Sequence, residues 1–128
     1  MSTRGIRGAN VVEANTSDEI LTATKKLLEG VCEKNPSLQP GDIASIIFTV
    51  TNDLNAVHPA LAARLMGWVE VPMLCGQEIP VPGSMPRCIR ILIHWNTELA
   101  QNQIQHVYLG AAAALRPDLT APIQNNQK

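Results

Sequence analysis

Residues 87–96 read Arg87-Cys88-Ile89-Arg90-Ile91-Leu92-Ile93-His94-Trp95-Asn96. Large apolar side chains occupy every second position, at 89, 91, 93 and 95, and mostly more polar ones lie between them. A period of two residues is typical of a β-strand that buries one face. We therefore predict a strand here whose isoleucine face packs against a hydrophobic core.

A helical pattern precedes this strand in the chain. Thr16-Ser17-Asp18-Glu19 has the form of a capping box, in which Thr16 caps the helix and Glu19 reaches back to it. Residues at helical spacing follow on one face, namely Ile20, Thr24, Leu27, Leu28 and Val31. Asn35-Pro36 ends the pattern, because the residue before a proline is disfavoured in a helix. The segment predicts one long amphipathic helix.

Shorter segments complete the prediction. The predicted elements are a strand at 3–12 interrupted by Gly5 and Gly8, a buried strand at 43–51, a short helix at 60–65 between Pro59 and Gly67, an edge strand at 69–73, a stiff loop at 76–86 and a fifth strand at 105–109. Residues 110–115 fit either a helical turn or an extended tail. Glycine within a strand marks a bulge or the close approach of another backbone or a ligand.

These elements predict an α+β fold in which a mixed β-sheet packs against one long α-helix. We expect one domain over residues 1–119 and a disordered polar tail over residues 120–128. One helix cannot cover all the apolar surface of such an aliphatic sheet. Copies of the chain can cover the remainder, so we expect a homo-oligomer.

Composition excludes several classes of function. The net charge is −1, and aromatic residues make up only 3%, which argues against a nucleic-acid partner. No apolar run is long enough to span a membrane, and residues 1–7 lack the apolar core of a signal peptide, so we expect a cytoplasmic protein with no membrane partner. The three cysteines have no CxxC spacing, which supports neither a disulfide framework nor a zinc site.

The positive charges are segregated by type. The four lysines lie at positions 25, 26, 34 and 128, whereas the six arginines, at positions 4, 7, 64, 87, 90 and 116, lie everywhere else. The planar guanidinium group suits carboxylates and phosphates in partly dry sites. The distribution indicates an anionic ligand, and the alternative is that these arginines are ordinary surface charge.

Arg90 is the most informative of these residues, because it lies in the middle of an apolar strand, where an unpaired charge is costly. It either binds a ligand or forms a buried salt bridge with Glu78 in the preceding loop. Arg7, between Gly5 and Gly8, is a second strand guanidinium with room around its backbone.

Patterns for other chemistry are missing. The three histidines, His58, His94 and His106, lack metal-ligand spacing, and no serine has a nucleophile-elbow context. Cys75 has no neighbouring histidine in the sequence, which favours a buried apolar role over a nucleophilic one. What remains is a cationic pocket with one carboxylate, one thiol and one phenol, Tyr108. Such a pocket suits a multiply anionic small molecule, and any catalysis there works through electrostatics and conformational restraint.

Several fragments together carry a family resemblance. They are Arg4-Gly5-Ile6-Arg7-Gly8-Ala9, Gly67-Trp68, Val71-Pro72, Cys75 with Gln77-Glu78, Arg87-Cys88-Ile89-Arg90, His106-Val107-Tyr108-Leu109 and Leu115-Arg116-Pro117-Asp118-Leu119. In this order, over residues 4–119, the chain resembles the monofunctional chorismate mutases of the AroH class. The resemblance implies a trimeric pseudo-barrel with active sites between subunits, and an isomerase that converts chorismate to prephenate in aromatic amino-acid biosynthesis. It also implies that neither a cofactor nor a metal is needed.

The resemblance further implies roles for individual residues. Arg90 is the cation beside the breaking ether bond, Arg7 and Tyr108 hold the side-chain carboxylate, and Glu78 and Cys75 face the ring hydroxyl. The remaining substrate-binding positions are Arg64, Met73, His58, where the family can carry phenylalanine, and Leu115 with Arg116 in the covering C-terminal segment.

Two alternatives remain from the sequence alone. One is an imine deaminase of the RidA type, which also binds carboxylates through a strand arginine, although Arg7, Cys75 and Glu78 do not match its pattern. The other is a non-catalytic trimer that binds a carboxylate metabolite.

Overall fold

The computed structural model describes residues 1–115 of the chain. The predicted tail at 120–128 and the candidate residue Arg116 lie outside the described residues. Within them, the strands are β1 (Ser2–Val11), β2 (Ile43–Val50), β3 (Met73–Gln77), β4 (Cys88–Thr97) and β5 (Val107–Tyr108). The α-helices are α1 (Ser17–Lys34) and α2 (Ala60–Leu65), and 3₁₀ turns form at Pro40–Asp42, Gln101–Gln103 and Gly110–Leu115.

The five strands form one mixed sheet in the order β3-β2-β4-β1-β5. β4 pairs antiparallel with β1 and β2, whereas the two outer pairs, β2 with β3 and β1 with β5, are parallel. The predicted α+β class with a mixed sheet is confirmed, and the predicted short helix at 60–65 is found as α2.

β4 lies at the centre of this sheet and has the predicted alternation. Its apolar positions 89, 91, 93 and 95 are all buried. Ile93 is the register partner of Ile6 in β1 and of Ile46 in β2, so three strands contribute to one apolar layer. Leu27, Leu28 and Val31 of α1 pack against that layer, which places the main core between α1 and this face of the sheet.

The start of α1 shows half of the predicted capping box. The Thr16 hydroxyl accepts a hydrogen bond from the Glu19 backbone N–H at 3.1 Å, as predicted. Glu19 Oε1 instead accepts from the backbone N–H groups of Glu13 and Ala14, at 2.9 and 3.2 Å. The Thr16 N–H is bonded to the Ala14 carbonyl at 3.0 Å and is not available to Glu19. Glu19 therefore fastens the β1–α1 connection to the helix.

The edge strand lies later in the chain than the sequence predicts. β3 is the edge strand next to β2, but it begins at Met73, and the predicted loop therefore begins after Gln77 instead of at residue 76. Val71 is buried in the core as part of a turn, whereas Val69 is 69% exposed. In the apolar alternation at 69–73, Val71 contacts the core from a bend and Met73 packs against the core as the first residue of β3, so only Met73 takes part in strand pairing.

The last described segment resolves the alternatives left by the sequence. Of the predicted strand at 105–109 only Val107–Tyr108 pairs, with Gly8 and Ala9 of β1. Gly110–Leu115 then forms a 3₁₀ helix, and Ala112 packs with Ala9 and Cys88. This segment lies at the outer end of the sheet beside β1.

The sheet has one face covered by the helices and one more open face. Ile46 and Phe48 of β2 point into the core with α1 and α2, whereas the intervening Ile47 is 38% exposed. Leu74, its register partner in β3, is 72% exposed. Exposed apolar surface on the second face agrees with the expectation that one helix cannot cover this sheet. None of the helices within residues 1–115 has the length and apolar character needed to cross a membrane.

Candidate active site

The open face of the sheet carries a cavity of about 360 Å³. Four of the predicted site residues line it together, namely Arg7 of β1, Arg90 of β4, Tyr108 of β5 and Glu78 directly after β3. Leu115 also lines this cavity. The cavity therefore combines two guanidinium groups, one carboxylate and one phenol, which suits an anionic ligand.

Strand register explains why these side chains meet. Arg7 is opposite Leu92, two residues beyond Arg90 on the same face of β4, and Arg90 is opposite Thr49 in β2. Because side chains in a strand alternate between faces, the side chains at positions 7, 49, 90 and 92 all point away from the helices. The alternation that builds the core on one face thus places the arginines on the other.

Gly8 allows Tyr108 to reach the same cavity. A Cβ atom at Gly8 would lie 2.8 Å from the Val107 carbonyl oxygen, a separation at which the β5 backbone must shift. Glycine therefore permits the close parallel pairing of β5 with β1. The predicted close backbone approach is found at Gly8, and the pairing of β1 with β4 runs without a bulge.

Arg90 and Glu78 do form an ion pair, but it is not the buried salt bridge considered above. Arg90 Nε lies 3.9 Å from Glu78 Oε2, and the two side chains are 44% and 31% exposed. Exposed ion pairs contribute little to folding, and this separation is too long for a hydrogen bond. Both groups therefore remain accessible from the cavity.

Glu78 is fixed to β2 by two other bonds. Its backbone N–H donates to the Val50 carbonyl at 2.9 Å, and the Thr49 hydroxyl donates to its Oε2 atom. Thr49 also lines the cavity. The sequence alone does not single out Thr49, because a threonine in an apolar strand is typical of β-structure in general. Only the register opposite Arg90 distinguishes it.

A second cavity, also of about 360 Å³, contains two other predicted site residues, His58 and Cys75. Cys75 is the register partner of Phe48, so it points to the opposite side of β3 from Glu78. It is exposed, which contradicts the prediction that it is a buried apolar residue. The sequence could not show this, because the exposure follows from the position of β3 at the sheet edge.

The remaining candidates within the described residues lie in α2 and at the start of β3. Arg64 is exposed in the last turn of α2, which follows His58 and Pro59 in the chain. Met73 is partly buried and packs against the main core. Within one chain, the structure therefore brings Arg7, Arg90, Glu78, Tyr108 and Leu115 together and keeps Cys75, His58, Arg64 and Met73 apart from them.

Comparison with known proteins identifies the family. The sequence profile of the family described as chorismate mutase type I matches residues 3–119, nearly the whole chain.

The chain belongs to the chorismate mutase type I family.

Two relatives and one solved structure agree with this membership. The chain is 50% identical over 116 residues to a chorismate mutase AroH of Thermus thermophilus, covering 91% of this chain and 95% of the relative. It is 47% identical over 121 residues to a chorismate mutase AroH of Bacillus subtilis, covering 94% of each. A chorismate mutase structure from Clostridium thermocellum superposes with a TM-score of 0.84 at 52% identity, covering 86% of this chain and 97% of the other. The resemblance given above is confirmed.

The groups around the Arg90 cavity are fixed charges and hydrogen-bonding groups. Cys88 is the thiol nearest to Arg90, but it is buried, and burial raises the pKa of its thiol although Arg90 partly opposes that shift. A thiol with a raised pKa is a poor nucleophile at neutral pH. In residues 1–115, His, Cys, Asp and Glu side chains form no group arranged to hold a metal ion. The cavity thus offers fixed charges and hydrogen bonds to its ligand.

Proposed function

We propose that this protein is a chorismate mutase, an isomerase that converts chorismate to prephenate in the synthesis of phenylalanine and tyrosine. The observation that carries the proposal is that Arg7, Arg90, Glu78 and Tyr108 line one cavity in a chain of this family. Chorismate carries two carboxylates. Its rearrangement breaks an ether C–O bond and forms a C–C bond within one molecule. The product is an isomer of the substrate, so no co-reactant is needed.

In this proposal Arg90 is the group that accelerates the reaction. The breaking ether bond places negative charge on its oxygen, and a fixed cation there stabilises the transition state more than the ground state. Arg90 is suited to this because its guanidinium is held by a sheet strand and faces the cavity. Its contact with Glu78 at 3.9 Å is loose enough to leave N–H groups for a ligand.

Arg7 and Tyr108 have the second role, which is to hold the substrate in its reactive shape. They come from paired strands, since Tyr108 is opposite Ala9, two residues after Arg7 on β1. A guanidinium and a phenol together bind the side-chain carboxylate of chorismate and hold the compact conformer in which the two reacting carbons are close. Restricting a substrate to such a conformer lowers the activation barrier, because the substrate loses its conformational freedom on binding and not in the reaction step.

We further propose that the active protein is a homotrimer with its sites between subunits. The support is that Cys75, His58 and Arg64 do not line the Arg90 cavity of their own chain. In addition, apolar side chains on the open face of the sheet are exposed. A neighbouring copy can bring its Cys75 against the Arg90 cavity, where Cys75 joins Glu78 at the ring hydroxyl of the substrate. Leu115, which lines that cavity, covers the substrate. The cytoplasmic location stays a prediction.

The experiment is direct. Purified protein is incubated with chorismate, and the loss of chorismate and the appearance of prephenate are followed. We expect stoichiometric conversion without any added cofactor. Tight binding of chorismate without conversion would identify a binding protein instead, and hydrolysis of an imine substrate with no action on chorismate would identify a deaminase.

A further inference from the structure

We infer that Thr49 is a positioning residue of this site, which orients the Glu78 carboxylate so that one of its oxygens is presented to a hydroxyl group of the substrate. The inference rests on the proposed function and adds a residue to it. It starts from the bond in which the Thr49 hydroxyl donates to Glu78 Oε2.

Thr49 is the hydrogen-bond donor that fixes this carboxylate. Arg90 Nε approaches the same oxygen, Oε2, but at 3.9 Å it is beyond hydrogen-bond distance. Among residues 1–115, Thr49 is thus the only side chain that donates a hydrogen bond to Glu78. Hydrogen bonds to a charged acceptor are stronger than those between neutral groups, so this bond is suited to hold the carboxylate in one orientation.

The second carboxylate oxygen, Oε1, is left for a ligand. Both contacts of the Glu78 side chain within the described part of the chain are made to Oε2. The backbone of Glu78 is fixed as well, by its N–H bond to Val50. With the backbone and one oxygen held by β2, Oε1 has a defined position at the cavity, where it can accept a hydrogen bond from a hydroxyl donor.

The position of Thr49 makes a specific functional role testable. Its register partner is Arg90, and its side chain is only partly buried, at the cavity. Valine has the same branched shape and a high preference for strands, so Thr49→Val removes the hydroxyl with little effect on the strand. Thr49→Ser keeps the hydroxyl with a smaller side chain.

The substrate hydroxyl stays neutral during the rearrangement, so its contact with Glu78 has the same strength in the ground state and in the transition state. Loss of such a contact raises KM and leaves kcat nearly unchanged. For Thr49→Val we therefore expect KM for chorismate to rise about tenfold, the size expected from one hydrogen bond to a charged group, with kcat within about threefold of wild type. Thr49→Ser should restore KM to within about threefold.

The experiment measures steady-state chorismate consumption for wild type, Thr49→Val, Thr49→Ser, Glu78→Ala and the Thr49→Val, Glu78→Ala double variant, with thermal melts of each. Thr3→Val is the matched control, because the Thr3 hydroxyl donates to Asn96 on the same sheet at 2.6 Å without lining the cavity. If Thr49 acts through Glu78, its substitution adds nothing in the Glu78→Ala background.

An unchanged KM for a folded Thr49→Val variant overturns the inference and leaves the proposed function intact. A fall in kcat alone, or a Thr49→Val effect that persists in the Glu78→Ala background, overturns it as well. If wild type does not convert chorismate, both the proposed function and this inference fail. A rise in KM that appears in Thr49→Val, disappears in Thr49→Ser and is absent for Thr3→Val supports it.

Discussion

Arg90 combines a backbone position in the middle of the sheet with an accessible charge. It belongs to the central strand, between buried Ile89 and Ile91, and yet its own side chain is 44% exposed at the cavity. The neighbours hold its backbone in place, while its charge is kept where a ligand can reach it. A guanidinium placed in this way needs little reorganisation when charge develops on a substrate, which is the condition for electrostatic catalysis.

We expect replacement of Arg90 to be the most damaging single change to activity. Removing one preorganised donor costs about 10²- to 10³-fold in rate, and a charged donor should cost at least as much. Arg90→Met should lower kcat by at least this factor, and Arg90→Lys should recover little, because an ammonium group lacks the planar fork. Steady-state kinetics measure the effect, thermal melts test the fold, and Lys34→Met on the exposed end of α1 is the control.

The competing explanation is that Arg90 serves only to pair with Glu78. In that case an Arg90→Met, Glu78→Leu double variant removes both charges together and keeps the fold and most of the activity. A folded double variant with turnover within tenfold of wild type would refute the catalytic role. We expect it instead to be as inactive as Arg90→Met alone.

At the scale of elements, the β3–β4 connection is fastened to the end of β2 by Asp53. Its carboxylate accepts the backbone N–H of Arg87 at 3.0 Å and the Thr51 hydroxyl at 2.5 Å. Arg87 has a φ of 48°, a left-handed conformation that is uncommon for residues other than glycine. The Asp53 bonds hold this residue at the point where the chain enters β4, three residues before Arg90.

The bond from Thr51, followed by the Arg87 N–H, lowers the pKa of Asp53 below its ordinary value. A pKa that is lower in the folded than in the unfolded protein stabilises the fold above the unfolded value, near 4, and this contribution is lost as pH falls. Asp53→Asn should therefore lower the melting temperature at pH 7 and have less effect at pH 3. Melts at both pH values measure this, with exposed Glu70→Gln as the control. An equal loss at both pH values would contradict the assignment.

The elements differ in how well the sequence predicts them. α1 and β4 could be predicted because each buries one face against the core. Their apolar residues therefore recur at the helical period of 3.6 residues or at the strand period of 2 residues. β3 could not be placed, because an edge strand in parallel pairing is defined by its partner β2 and not by its own pattern.

The site residues are subject to the same limit. Arg7 and Arg90 stand out as charges in apolar strands, whereas Thr49 and the exposure of Cys75 depend on which strands become neighbours.

At the scale of the whole molecule, we predict a homotrimer, with a solution mass three times the 13.9 kDa of the chain. Light scattering after size exclusion measures this mass. Leu74 is 72% exposed on the open face of the sheet, and Leu74→Asp should shift the protein to smaller species and lower its activity. Leu65→Asp is the matched control, since Leu65 is 71% exposed on α2. A monomer with full activity would contradict the model of sites shared between subunits.

The dependence of the rate on pH tests the reaction class for the assembled enzyme. No proton is transferred in the rearrangement of chorismate, and the cations that we propose act on it are arginines, which keep their charge across the neutral range. We therefore expect kcat to be nearly constant from about pH 6 to pH 9, and to show no large solvent isotope effect. Rate profiles in H₂O and D₂O measure both.

His58 provides the sharpest form of this test. It is the histidine that lines the Cys75 cavity, and histidine is the side chain that most often serves as a general acid or base. If its proton took part in the reaction, the profile would be bell-shaped or stepped, and His58→Gln would remove the step. We expect the profiles of wild type and His58→Gln to have the same flat form. A step that His58→Gln abolishes, together with a solvent isotope effect on the chemical step, would assign acid–base catalysis to the site and overturn a purely electrostatic mechanism.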